Sequence, residues 1–167
     1  MSYLDKIITL EEAPNRLGEN RSSGFCAVLT NGVFDILHVG HTRYLEKAKS
    51  LGDVLIVGVN TDSSVRMNKS SDRPFISQSE RAEIIASLGC VDLVCLFDSK
   101  TPLPLIRAIK PHVYCKGSDY TLTGEPGKSP IFPGICELVS SYGGRIELID
   151  VESDMSTSEI AKRIRRP

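Results

Sequence analysis

No run of apolar residues in this chain approaches the roughly 20 positions that a membrane-crossing helix needs. The opening segment, Met1 to Glu12, alternates apolar and charged residues and lacks the hydrophobic stretch of a signal peptide. These two absences predict a cytoplasmic protein with no membrane partner. An excess of one charge is missing as well, since 20 Lys plus Arg stand against 21 Asp plus Glu. No global field therefore draws in DNA, RNA or anionic lipid, and no nucleic-acid partner is expected. A local cluster of positive charge in a pocket stays open, because net charge says nothing about placement. The five cysteines, Cys26, Cys90, Cys95, Cys115 and Cys136, are widely spaced and odd in number. That pattern argues against a disulfide framework or a zinc site and for inert thiols in a reducing compartment. Histidine is scarce too: there are three, and two of them share one four-residue stretch.

What is present is ordinary for a folded domain, with 41% hydrophobic and 25% charged residues over 167 positions. Short β-type runs alternate with helix-type stretches, which predicts an α/β fold: a Rossmann-like, doubly wound, mainly parallel sheet with helices on both faces. Strands are expected at Phe25–Leu29, Val54–Val59, Val91–Phe97, Val113–Cys115 and Arg145–Asp150. Helices are expected at His41–Leu51, from Ser77 to Leu88, and at Pro102–Ile109, Ile131–Tyr142 and Ser156–Arg165. Val54–Val59 is apolar throughout, as in a strand covered on both faces. Ser77-Gln78-Ser79-Glu80 has the spacing of a capping box. Residues 1–23 read as one helix (Leu10–Leu17) and a lead-in, and 24–167 as a single domain. Met67–Arg73 and Thr121–Pro133 read as irregular, the second because of its proline and glycine content.

The chemistry concentrates in Thr30-Asn31-Gly32-Val33-Phe34-Asp35-Ile36-Leu37-His38-Val39-Gly40-His41. This segment begins where the first main strand ends and finishes where a helix begins. In an open α/β sheet that junction binds ligands, and the free N–H groups of the helix start favour phosphate. Gly32 lets the backbone approach a ligand, and Gly40 keeps space open between two imidazoles. His38 and His41, three apart, can face one phosphate together. Zinc would need at least a third ligand, and no other Cys or His sits at a suitable spacing.

With TNGVFD before it, HVGH resembles the HxGH nucleotidyltransferase superfamily of cytidylyl- and adenylyltransferases. Leu51-Gly52-Asp53, Val57-Gly58-Val59-Asn60-Thr61-Asp62, Asp72-Arg73-Pro74, Lys116-Gly117-Ser118-Asp119-Tyr120 and Ser156-Thr157-Ser158 are similar to the branch containing D-glycero-D-manno-heptose 1-phosphate adenylyltransferases. The likeness runs from about Ile8 to Ile164. It departs at Ser118, where that branch usually has glycine, and in the extra sequence Thr121–Pro130. The branch often occurs fused to a sugar kinase, for which this length leaves no room, so a stand-alone transferase is implied.

The resemblance implies attack by a sugar-phosphate oxygen on the α-phosphorus of ATP, or of CTP, with pyrophosphate leaving. His38 and His41 would donate to the α- and β-phosphates, and Lys49 would supply positive charge. Thr30, Asn31 and the backbone of Gly32, Val33 and Phe34 would cradle the triphosphate beside Gly40. Arg73 would close over the phosphates as a clamp. Lys116, at a strand end, would meet nucleotide or sugar. Ser156, Thr157 and Ser158 would cap the last helix and touch the triphosphate. Asp35, Asn60 and Asp62 would hold substrate hydroxyls. Arg81 reads as a helix-face ion-pair residue and His112 as a strand-entry residue, both outside the site. Mg²⁺ is expected to arrive with the triphosphate, bound mostly by phosphate oxygens and water. A homodimer is the assembly that relatives suggest.

Two alternatives remain at this level. One is a cytidylyltransferase for glycerol 3-phosphate or another small phosphate. Such enzymes tend to carry an arginine before the last helix, where this chain has Ser153-Asp154-Met155-Ser156-Thr157-Ser158. The other is a non-catalytic nucleotide-binding module, which would have no need of transition-state donors.

Overall fold

Strands that are apolar on both sides need helices on both sides, and the sequence has several such strands. The computed structural model describes residues 2–18, 24–68, 73–122, 125–132, 134–150 and 157–164. Its strands are β1 (Ile7–Ile8), β2 (Ala27–Gly32), β3 (Val54–Asn60), β4 (Leu93–Phe97), β5 (Val113–Gly117), β6 (Tyr120–Thr121), β7 (Ser129–Pro130) and β8 (Arg145–Ile149). Six of them form one parallel sheet in the order β1-β4-β3-β2-β5-β8. The helices are α1 (Ala13–Gly18), α2 (Val39–Lys49), α3 (Asp62–Asn68), α4 (Gln78–Ala86), α5 (Leu103–Ile109), α6 (Ile135–Ser141) and α7 (Thr157–Ile164).

Alternation along β3 shows how the two faces are filled. Leu55, Val57 and Val59 pack with Leu45 and Ala48 of α2 and Ala82, Ile85 and Ala86 of α4. Ile56 points the other way, toward Leu17 of α1, Leu105 and Ile109 of α5, and Ile135 and Val139 of α6. The α/β, doubly wound, parallel architecture expected from the sequence is therefore the one found. No helix among the described residues is long and apolar enough to cross a membrane.

Local chemistry explains the element ends. Ser77 caps α4 through the expected box: the Glu80 N–H donates to Ser77 Oγ at 3.4 Å, and the Ser77 N–H donates to Glu80 Oε2 at 3.3 Å. After α2 the chain turns at Gly52, and the Asp53 N–H donates to the Cys26 carbonyl at 2.8 Å. A Cβ at Gly52 would stand 2.6 Å from that carbonyl oxygen. Gly52→Ala is accordingly expected to cost about 1–3 kcal/mol, read as a lower urea midpoint with an unchanged m-value.

Several stretches differ from the sequence reading, the first being β2, which runs three residues past the expected Leu29 to Gly32. The N-terminal stretch is more than a lead-in: Ile7 and Ile8 pair with Val94 and Cys95 as the edge strand, and Ala13 and Leu17 are buried. Two residues are too few to show a period, so that strand left no pattern to read. The punctuated segment after Tyr120 contains paired structure, with Tyr120 and Thr121 opposite Ser129 and Pro130. Helix α6 begins at Ile135, after Gly134 in the left-handed region at φ 85°, and not at Ile131. Of the expected irregular stretch Met67–Arg73, Met67 and Asn68 form the end of helix α3, and residues 69–72 lie outside the described residues. Burial pushes the Cys95 and Cys115 thiols up to about 12, whereas Cys136 is exposed.

Strand order reverses between β2 and β5. In parallel α/β sheets a crevice opens beyond the carboxyl ends of the strands at such a switch. The segment after β2 and the end of β5 meet there.

Candidate active site

A cleft of about 600 Å³ lies at this switch point, walled by Asn31–Asp35, His38, Gly40 and His41 on one side and Lys116–Tyr120 on the other. His38 is the N-cap of α2, extended at φ −140°, so the two histidines straddle the first helical turn. Their ring centroids are 3.9 Å apart and the planes are tilted by 36°. His41 Nδ1 accepts the His38 backbone N–H at 3.3 Å. A nitrogen that accepts carries no proton, so neutral His41 holds its proton on Nε2 and is a donor there. His38 Nδ1 is buried with no hydrogen-bond partner among the described residues, and burial lowers the pKa of this ring below its usual 6.5. Phe34, at φ 51°, packs edge-on to His41 with centroids 5.4 Å apart. Holding a phenylalanine at positive φ costs of order 1–3 kcal/mol, which the packing around it offsets. A Cβ on Gly32 would lie 3.0 Å from the Phe34 ring, so glycine there lets the ring settle.

Lys116 faces the histidines from β5. Its ammonium donates to the Asn31 carbonyl at 3.1 Å and sits 4.9 Å from the Tyr120 ring centroid. Desolvation pushes its pKa down to about 8, partly opposed by Asp119. Tyr114 donates to Asn31 Oδ1 at 2.6 Å, so two residues of β5 pin Asn31 at the end of β2. A titration follows. Deprotonating Lys116 removes a positive charge from the cleft, so kcat/KM for the nucleotidyl transfer that the sequence resemblance implies is expected to fall above pH about 8. The limb in kcat should lie higher, because bound anions favour the charged lysine. Lys116→Arg, which stays protonated, should lose the alkaline limb; a limb that persists in this variant belongs to another group.

Several residues chosen from the sequence sit elsewhere. Lys49 is at the far end of α2, where it pairs with Asp92 Oδ2 at 2.7 Å and donates to the Asp53 carbonyl. Eight residues of helix separate it from His41, about 12 Å of rise, so it ties α2 to the amino-terminal edge of the sheet and is not a catalytic cation. Thr30 is buried, its hydroxyl 2.7 Å from the Tyr44 hydroxyl and donating to the Cys115 carbonyl at 3.3 Å. It supports Tyr44, which lines the cleft, and does not itself cradle phosphate. Arg73 is paired with Asp35 Oδ2 at 2.7 Å and stacked 4.1 Å over Phe75, outside the cleft lining. Asp35 Oδ1 accepts the N–H groups of Phe75 and Ile76 at 2.7 and 3.0 Å. Asp35 is thus a buried clamp between the histidine loop and residues 73–76, with both oxygens engaged.

Asn60 lines the cleft and donates to Ser64 Oγ at 2.8 Å. Asp62 does not line it; its carboxylate is taken by Arg81 at 2.7 Å. Thr157 reaches the cleft and donates to the Ile36 carbonyl at 3.3 Å. Ser156 and the side chain of Ser158 lie outside the described residues.

Arg81 is the residue that sequence reasoning missed. It is fully buried, and it donates to the carbonyls of Ile76 (3.0 Å), Val33 (2.5 Å) and Asn60 (2.7 Å) besides Asp62. One planar guanidinium thereby fixes the ends of two strand–helix connections and the start of α4. A signal existed: Arg81 and Ile85 are four apart, on the apolar face of α4. His112 lies outside the cleft, as expected, its Nδ1 accepting the Ala27 N–H at 3.0 Å.

A family model described as cytidylyltransferase-like matches residues 29–163, which span the histidine loop, Lys116 and α7. The chain belongs to the cytidylyltransferase-like family. Within it, the chain is 46% identical over 164 residues to the bifunctional protein HldE of Syntrophotalea carbinolica, covering 98% of this chain and 32% of that one. It is 48% identical over 144 residues to the bifunctional protein HldE of Pelobacter propionicus, covering 86% and 28%. The chain spans about a third of the length of these curated relatives. The crystal structure of the lipopolysaccharide core biosynthesis protein from Thermoplasma volcanium superposes with a TM-score of 0.60 at 27% identity, over 79% of this chain and all of that one. Pantoate-beta-alanine ligase from Francisella tularensis shares the fold, with a TM-score of 0.62 at 16% identity over 95% and 77%.

Cytidylyltransferase-like proteins work with a divalent metal and a nucleoside triphosphate, and the donor set here can be judged against that. Among the described residues no group of three His, Cys, Asp or Glu could cage a metal ion. The cleft carboxylates are Asp35, fully engaged, and Asp119. Such a lining suits a cation held chiefly by phosphate oxygens and water, with one carboxylate at hand.

Proposed function

We propose that this chain transfers AMP from ATP to a sugar 1-phosphate, heptose 1-phosphate in the first instance, forming a nucleotide-activated sugar and releasing pyrophosphate. The observation that carries the reading is the pair of imidazoles at the start of α2, 3.9 Å apart, across the cleft from Lys116. An acceptor phosphate oxygen forms a bond to the α-phosphorus while the bond from that phosphorus to the β-bridging oxygen breaks. The nucleophile is already anionic, so no strong base is needed. Catalysis then consists of aligning two anions that repel and stabilising charge as it moves to the leaving group.

Each residue has a task in that scheme. His41, with its proton on Nε2, donates to phosphate oxygens. His38 has an unmatched buried nitrogen beside it and joins in the same contact. Lys116 neutralises the meeting anions. The backbone of Gly32 to Phe34, with Gly40 and Thr157, contours the triphosphate side. Phosphate oxygens, with Asp119 at hand, would hold Mg²⁺, which would screen the charge of the triphosphate. Adenylyl rather than cytidylyl transfer is supported by the Lys116–Tyr120 and Ser156–Ser158 motifs and by the absence of an arginine from Ser153 to Ser158.

The test is pyrophosphate release from ATP, CTP, GTP and UTP, each paired with heptose 1-phosphate, glycerol 3-phosphate and related acceptors. Turnover of ATP with heptose 1-phosphate is the expected result. CTP-specific turnover of an alditol phosphate would replace the substrate assignment, and silence with every pair would leave a nucleotide-binding module.

A further inference from the structure

The core beneath β5 reaches the cleft through one phenol. Tyr114 is fully buried among the side chains that pack against α5 and α6, and its hydroxyl donates to Asn31 Oδ1 at 2.6 Å. Two positions along the same strand, Lys116 donates to the main-chain carbonyl of Asn31 at 3.1 Å. Both oxygens of Asn31 are therefore engaged by β5. What remains is the side-chain amide nitrogen, whose two N–H groups have no partner among the described residues. Asn31 lines the cleft, in the segment that leads to His38 and His41.

We propose that Tyr114 is a positioning residue: it fixes the Asn31 amide with its oxygen toward the core and its nitrogen toward the cleft, where the N–H groups donate to phosphate oxygens of the nucleotide. This rests on the transferase reading above and adds how one cleft donor is held in its working orientation.

A carboxamide has nearly the same shape at both ends, so packing alone does not decide which end meets the ligand. The ends differ in kind: an N–H edge attracts a triphosphate and a carbonyl edge repels it. The proton of Tyr114 makes the choice. A buried phenol needs an acceptor, and Oδ1 is the one it finds among the described residues. Burial also pushes the Tyr114 pKa well above its usual 10, so the phenol keeps that proton wherever the protein works. Turned over, the amide could still donate to the phenol oxygen, but the phenol proton would then be buried without an acceptor. The penalty falls on the wrong orientation alone.

The sheet makes this contact possible. The register sets Tyr114 beside Leu29, two residues before Asn31, so phenol and amide lie on one face. On the other side Asn31 stands next to Gly58 of β3, where a Cβ would come 3.1 Å from Asn31 Cβ. Glycine there leaves the amide room to lie between the two strands.

Tyr114→Phe removes one oxygen and leaves a ring that still fills the core, so the variant should fold. Its Kd for inorganic tripolyphosphate, measured by calorimetry, should rise roughly 5-fold, and kcat/KM for ATP should fall by a similar factor. Asn31→Ala should lose about 10-fold or more in both quantities, as when a hydrogen bond to a charged group is removed. In the Asn31→Ala background, adding Tyr114→Phe should change either quantity by less than about 2-fold, because the phenol then has no amide to hold. That dependence on Asn31 is what a purely structural tyrosine would not show. An equal factor in both backgrounds overturns the proposal, as does a lowered melting temperature in Tyr114→Phe with tripolyphosphate binding unchanged. Wild-type protein that binds no tripolyphosphate overturns it as well. Absence of wild-type turnover with every substrate pair, while the binding pattern holds, counts against the transferase reading instead.

Discussion

Alanine at His41 is expected to lower kcat for nucleotidyl transfer by roughly 10²–10³-fold, the usual result of removing one preorganised donor from a developing oxyanion. The donor is already set before substrate arrives, because the His38 amide occupies Nδ1 and leaves the proton on Nε2. Alanine at His38 should cost a similar factor but carries a second signature. Its Nδ1 is buried without a partner among the described residues, and an unmade buried hydrogen bond costs about 1–3 kcal/mol. Removing the ring removes that penalty, so His38→Ala should melt at or above the wild-type temperature while losing its rate. Loss of stability together with rate would mean that the ring serves the fold. Because the two imidazoles act as a unit, the double variant should be little slower than either single one.

The acid side of the stability curve offers an independent check. The pKa of folded His38 lies below 6.5, so on acidification the unfolded state takes up the proton first. Where the unfolded chain binds more protons, stability rises with pH. Stability is therefore lost as pH falls through 6.5 toward the folded value. His38→Ala should flatten that part of the urea-midpoint profile relative to wild type.

The second large effect concerns stability. Arg81→Ala should lower unfolding free energy by about 3–5 kcal/mol, the range for breaking a buried ion pair and leaving its partner alone. Three carbonyls and the Asp62 carboxylate lose their donor together. For a chain of this length about 1 kcal/mol corresponds to roughly 2–4 °C, so the melting temperature should drop by about 6–20 °C. Arg81→Lys should recover little, because an ammonium cannot reproduce the planar fork that spans Val33, Asn60 and Ile76. A midpoint within about 1 °C of wild type for Arg81→Ala would show that these contacts are dispensable.

Arg81 also shows where sequence reasoning stops. Apolar runs such as Val54–Val59 announce covered strands, the Ser77–Glu80 box announces a helix start, and HVGH after a strand announces a cleft at a helix start. All three depend on local spacing. Charged residues reveal their sign in the sequence but not their direction. Lys49 and Arg73 are cations that the sequence offers for the phosphates, yet one points to Asp92 at the opposite end of the sheet and the other is spent on Asp35. Arg81 reads as a helix-face ion-pair residue until its four acceptors are seen, three of them at least 19 positions away and the fourth in a bend five residues before it. Lys116 was legible for the opposite reason: it sits at the carboxyl end of an apolar strand, where the backbone alone decides that it faces the crevice.

The uneven burial of the cysteines has a practical side. Cys95 and Cys115 are sealed in the sheet with thiols held in the protonated form, and Cys26 and Cys90 are half-covered. Cys136 is exposed on α6, next to the buried Ile135. A maleimide dye should therefore attach there first, giving the native chain an optical reporter on α6.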